Sequence, residues 1–178
     1  DRVEQDIRKI LGHAVFGVGD ETLECAVAAL LKKYHKTIAV AESCTGGLVS
    51  DKLTNISGIS EFFLEGVVAY SNRAKIDILG VPEELITKHG AVSPQVARAM
   101  AEGIKKRSSA DIGVGITGIA GPTGATKEKP VGLVYITVAV ENDVEVKECR
   151  FRGSRIDIKN FSANTALNML RLKFMDNC

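Results

Sequence analysis

Tryptophan is absent from this 178-residue chain, and aromatic residues together make up only 5% of it. Proteins that stack nucleic-acid bases need aromatic platforms, so composition argues against that class. An excess of either charge is also missing, because 23 basic side chains face 22 acidic ones for a formal net charge of +1. This balance supplies no general attraction for nucleic acid or an anionic membrane. Histidine is scarce: His13, His35 and His89 stand far from one another and at no metal-ligand spacing from a cysteine. The cysteines, Cys25, Cys44, Cys149 and Cys178, are scattered without a C-x-x-C pair. Neither a metal site nor a disulfide framework is expected, which favours a reducing, cytoplasmic compartment. No apolar run reaches the 18 or more residues of a membrane span, and the sequence shows no secretory h-region. A phosphate-binding G-x-x-x-x-G-K-[ST] loop is lacking too, since Gly124 is followed by Ala125 and Thr126.

What is present reads as one domain of ordinary globular composition, 45% apolar and 25% charged. Val3, Ile7, Ile10 and Leu11 have helical spacing over 2–11, and 21–34 repeats it with Asp20 placed to cap. TIAVA (37–41) is a short apolar run suited to a buried strand, and 46–54 is helical again. A second strand is predicted over 66–70. A helix from Asn72 to Leu79 follows, with Ser71 able to cap it and Gly80 to end it. Pro82 opens a helix closed by Gly90, and Ser93-Pro94 starts a longer one reaching about Arg107. Residues 111–117 are predicted as a strand and 118–130 as a glycine-rich loop. Segments 133–140 and 144–151, joined by Glu141-Asn142-Asp143, read as a β-hairpin. Ile158, Phe161, Thr165 and Met169 mark one face of a C-terminal helix. Strands alternating with helices, plus a hairpin, predict a three-layer α/β/α sandwich with a mixed, mostly parallel sheet.

Two motif matches are set aside. Gly113-Val114-Gly115-Ile116-Thr117-Gly118 fits G-x-G-x-x-G, but its glycines lie inside a strand pattern and no helix follows, as a dinucleotide fingerprint requires. Tyr70 and Lys75 are five residues apart, not the four of short-chain dehydrogenases.

The stretch AVAESCTGG (39–47) carries the strongest chemical signal. It places Glu42, Ser43, Cys44 and Thr45 where a strand turns into a helix. Backbone N–H groups at such a turn lack intrahelical partners and can bind an anion or a developing oxyanion. Ser43 beside them suits a nucleophile, and the double glycine leaves room for a ligand. A plain helix cap by Ser43 or Thr45 is the competing reading, and Cys44 is a rival nucleophile. No histidine sits in a motif fit for a catalytic triad. A lysine is the known substitute, and Lys75, just after the second strand, is the candidate if burial lowers its pKa. With Thr117, three strand ends carry small hydroxylic residues, and ligands collect at such ends when the strands run parallel.

AESCTGG (41–47), AYSNRAK (69–75), GAVS (90–93), TGIAGP (117–122), KPVG (129–132) and FRGSR (151–155) occur in this order. In these six motifs the sequence resembles the CinA carboxy-terminal domain, also known as the PncC family of nicotinamide mononucleotide deamidases. The resemblance covers about residues 20–175. It implies a metal-free amidohydrolase without a cofactor, converting nicotinamide mononucleotide to nicotinic acid mononucleotide and ammonia. Carried over by motif, Ser43 is the nucleophile and Lys75 the general base, with Tyr70 and Thr117 assisting at the carboxamide. Thr45, Gly46, Gly47, Asn72, Gly118, Ala120, Gly121 and Arg155 are the implied substrate contacts, and the charge of Arg155 suits a phosphate. The resemblance also implies a homodimer, a small-molecule partner rather than nucleic acid or membrane, and a division at about residue 20. Residues 1–19 are then an N-terminal helix and linker left from a longer protein, and 20–178 the amidohydrolase domain. A non-catalytic nucleotide-binding or regulatory domain, and a thiol enzyme using Cys44, remain open alternatives.

Overall fold

The computed structural model describes residues 2–141 and 143–175. Its elements run α1 (Arg2–Leu11), α2 (Leu23–Tyr34), β1 (Ile38–Glu42), α3 (Leu48–Thr54), β2 (Phe63–Val68) and α4 (Asn72–Leu79). Then come α5 (Glu83–His89), α6 (Pro94–Ser108), β3 (Ile112–Gly118), β4 (Leu133–Val140), β5 (Asp143–Arg150) and α7 (Arg155–Met175). The strands form one sheet in the order β2-β1-β3-β4-β5. β1 pairs in parallel with both β2 and β3, whereas β3–β4 and β4–β5 are antiparallel. Only β4 therefore opposes the direction of the others. The sandwich and the hairpin are as expected, while Asn142, predicted to join the two hairpin strands, and Cys178 lie outside the described residues.

Period-two alternation on β1 assigns its side chains to two cores. Ile38 and Val40 join α2, α3 and α7 on one face, while Ala39 and Ala41 meet α4, α5 and α6 on the other. The second face is built for close approach. A Cβ on Gly113 would stand 2.1 Å from Ala101 O, and one on Gly115 2.4 Å from Ala97 O. The glycines of the G-x-G match thus seat α6 on the sheet, the reason a nucleotide fingerprint does not arise from them.

Local signals set most helix ends. Ser71 Oγ accepts from Ala74 N at 3.0 Å, Gly80 closes α4 in the left-handed region, and Ser93 Oγ accepts from Val96 N at 3.3 Å. Three expectations shift. Thr22, not Asp20, caps α2: it is extended, adjacent to the first turn, and its Oγ1 accepts from Cys25 N at 3.4 Å. β2 occupies 63–68 rather than 66–70, because its pairing with β1 begins at Ile38↔Phe63 and ends at Glu42↔Val68. The buried face of α7 runs through Ile158, Ser162, Ala166, Met169 and Leu170, so Phe161, 46% exposed, falls on the flank, where it packs against Phe151. Helix α1 contributes no buried residue. No helix among the described residues is long and apolar enough to cross a membrane.

Candidate active site

Because β1, β2 and β3 are parallel neighbours, their carboxyl ends open side by side. Ser43 leaves β1, Tyr70 and Ser71 follow β2 into α4, and Thr117 lies at the end of β3. A cavity of about 310 Å³ sits between these ends. Ser43, Lys75, Tyr70, Thr117, Asn72, Gly118, Ala120, Gly121 and Arg155 all line it, together with Cys44, Ala91, Val92, Ile119, Thr123 and Gly124. Thr45, Gly46 and Gly47 do not.

The turn after β1 shows why. Glu42, with no exposed surface, folds its carboxylate under the start of α3. Oε2 accepts from Gly47 N at 3.0 Å and Val49 N at 3.2 Å, and Oε1 from Ser50 N at 2.9 Å and Ser50 Oγ at 2.8 Å. The cap of α3 is therefore Glu42, reaching across the turn, and neither Ser43 nor Thr45. Gly46 (φ +65°) and Gly47 (φ +96°) take the left-handed backbone that lets the chain double back over this carboxylate. Their task is the turn, and the helix N-terminus is occupied from within.

Ser43 is thereby released from capping. Its Oγ receives a hydrogen bond from Lys75 Nζ at 3.1 Å, and the same nitrogen donates to Ala69 O at 2.8 Å and Tyr70 O at 3.5 Å. Lys75 is 2% exposed and, among the described residues, forms no ion pair with a carboxylate. Burial holds its pKa below the ordinary lysine range. The adjacent Cys44 thiol is pushed up to about 12, chiefly by burial, so it stays protonated and gives Lys75 no counter-charge. A buried amine with a lowered pKa beside a hydroxyl has the geometry in which a base can activate a nucleophile. The base is paired with the Ser43 hydroxyl, and among the described residues Lys75 makes no hydrogen bond to the Cys44 thiol.

Other groups complete the wall. Thr117 Oγ1 donates to Ala91 O at 2.8 Å, so toward a ligand it offers lone pairs rather than its proton. Arg155 donates through Nη1 to Gly121 O at 2.6 Å and through Nη2 to the Tyr70 hydroxyl at 2.9 Å. The N–H groups of Cys44, Ala120 and Gly121 meet no backbone acceptor among the described residues. No cluster of three or more metal-ligating side chains occurs among them either.

The lysine's depressed pKa has a thermodynamic signature. Unfolded, Lys75 titrates near 10.5, and folded it titrates lower. Between those values the unfolded chain holds a proton the folded chain has released, so stability rises with pH across that window. Below it, the penalty of the buried charge is fully present. Chemical denaturation of the parent and of Lys75→Met from pH 7 to 10.5 should show the parent gaining on the variant as pH rises. A pH-independent difference would mean that Lys75 is not held depressed.

Comparison with known proteins agrees with the fold and the motifs. The model of the CinA C-terminal domain matches residues 20–174. A CinA-like protein of Kosmotoga olearia is 51% identical over 95% of this chain and 41% of its own length. Another, from Koribacter versatilis, is 50% identical over 98% of the chain and 42% of its own length. The chain thus spans about two fifths of these relatives. Among solved structures, competence/damage inducible protein CihA of Agrobacterium tumefaciens superposes with a TM-score of 0.82 at 42% identity, covering 85% of this chain and 93% of its own. A CinA superfamily protein of Klebsiella pneumoniae gives 0.84 at 31% identity, covering 86% and 96%. With nearly its whole length matched by the family model, the chain belongs to the CinA C-terminal domain family.

Proposed function

We propose that the cavity hydrolyses the carboxamide of nicotinamide mononucleotide, releasing nicotinic acid mononucleotide and ammonia. The observation that carries this reading is Lys75 Nζ, buried without a carboxylate partner and 3.1 Å from Ser43 Oγ. In the first half-reaction Ser43 Oγ bonds to the carboxamide carbon while neutral Lys75 takes the hydroxyl proton. The oxyanion is met by N–H groups of Cys44, Ala120 or Gly121, which have no backbone acceptor of their own. The tetrahedral adduct then expels its nitrogen, protonated by Lys75, as ammonia and leaves an ester on Ser43. In the second half, Lys75 deprotonates water, water adds to the ester carbon, and the Ser43 oxygen leaves with that proton. Thr117, whose proton is committed to Ala91 O, accepts from the carboxamide nitrogen.

Arg155 holds the phosphate in this reading. Losing one charged hydrogen-bond partner costs ~1.5–3 kcal/mol. Arg155→Met should therefore raise KM for the mononucleotide by about 10- to 100-fold and leave the riboside lacking phosphate little affected. Equal losses on both substrates would reassign Arg155 to holding Tyr70 and Gly121 alone. The primary test is ammonia release from nicotinamide mononucleotide by the purified protein. Binding of the nucleotide without turnover would favour a non-catalytic regulatory domain.

A further inference from the structure

The KPVG motif lies outside the cavity lining, yet its lysine reaches the cavity wall from behind. Lys129 Nζ donates to His89 O at 2.6 Å and to Val92 O at 2.7 Å. Between these two, Ser93 Oγ donates to Gly90 O at 2.9 Å and Thr117 Oγ1 to Ala91 O at 2.8 Å. Four consecutive carbonyls, 89 to 92, are each held by a side chain, and among the described residues no backbone N–H outside the helices and strands reaches them. A segment tied in this way has no ladder to keep its shape, so its position depends on those side chains. Ala91 and Val92 of this segment line the cavity.

Lys129 is itself anchored. Its N–H donates to Thr126 Oγ1 at 3.1 Å, and its carbonyl accepts from Thr126 N at 2.9 Å. The turn so closed ends the 118–130 loop, of which Gly118 to Gly121, Thr123 and Gly124 form another part of the wall. One ammonium therefore ties two walls together.

We propose that Lys129 is a positioning residue: it clamps 89–92 against the 118–130 loop and so sets the width of the cavity around the substrate ring, touching neither substrate nor Ser43. Its kinetic consequence rests on the amidohydrolase reading, and its structural consequence does not. Lys129→Met keeps the stem and removes every donor. KM for nicotinamide mononucleotide should rise about tenfold with kcat within about threefold, because Ser43 and Lys75 are left in place. By NMR, backbone order parameters at Ala91 and Val92 should fall from about 0.85 toward 0.6 while those of β1 and α4 stay unchanged. Lys129→Arg, which restores two donors, should bring both readouts back toward the parent, and it serves if the Met variant does not fold. An unchanged KM with unchanged order parameters overturns the proposal, as does a fall in kcat matching the rise in KM. If the parent has no turnover, the amidohydrolase reading fails. The clamp is then upheld by mobile 91–92 in the Met variant and overturned by their rigidity.

Discussion

Ser43→Ala is expected to abolish deamidation of nicotinamide mononucleotide, a loss of about 10³-fold or more in kcat, with thermal stability nearly unchanged. Ser43 Oγ receives one hydrogen bond, from Lys75, and caps nothing, so its removal leaves the turn intact. Lys75→Met should be as damaging, and the double variant no worse than either single one, because nucleophile and base act as one unit. Cys44→Ala should keep turnover, since its buried thiol, pushed up to about 12, is not ionised in the working range. Steady-state ammonia release on the four variants decides the matter. Activity surviving in Ser43→Ala and lost in Cys44→Ala would overturn the serine assignment.

Glu42→Ala should be the most destabilising substitution around the site. Its carboxylate accepts four hydrogen bonds from α3 and the turn before it. Truncation strands Gly47, Val49 and Ser50 donors, and opens a void where the side chain had no exposed surface. Each unsatisfied buried donor costs ~1–3 kcal/mol, and partial rehydration keeps the sum below simple addition, so a loss of about 3–5 kcal/mol is expected. Glu42→Gln should lose less, because one amide oxygen still accepts while the amide nitrogen faces donors. Urea denaturation gives both numbers. A loss under about 0.5 kcal/mol for Glu42→Ala would mean the turn holds itself without the cap, since neutral surface changes fall in that range.

The two predictions share one piece of architecture. By taking the donors of α3, Glu42 spares Ser43 from the commonest fate of a serine before a helix. It also removes that helix N-terminus as an anion site, which moves the expected oxyanion donors to Cys44 and the loop after β3. The price is strict dependence of the turn that carries Ser43 on a single buried carboxylate.

The primary structure by itself determined the elements whose signals are local. Ser71 and Gly80 bracket α4, Ser93-Pro94 starts α6, and the apolar runs mark β1 and β4, all through contacts within about four residues of chain. The six spaced motifs named the family for the same reason, since order along the chain survives without coordinates. Tertiary structure alone decided which of their side chains meet. Lys75 meets Ser43 across 32 residues only because β1 and β2 lie side by side in parallel, a pairing no local pattern specifies. Glu42 displaced Ser43 and Thr45 as the cap because a longer side chain can reach the helix start from the strand side. Thr117 reaches Ala91 across 26 residues, and Lys129 reaches His89 across 40. Such contacts depend on where the sheet delivers the chain, and composition and spacing carry no record of that.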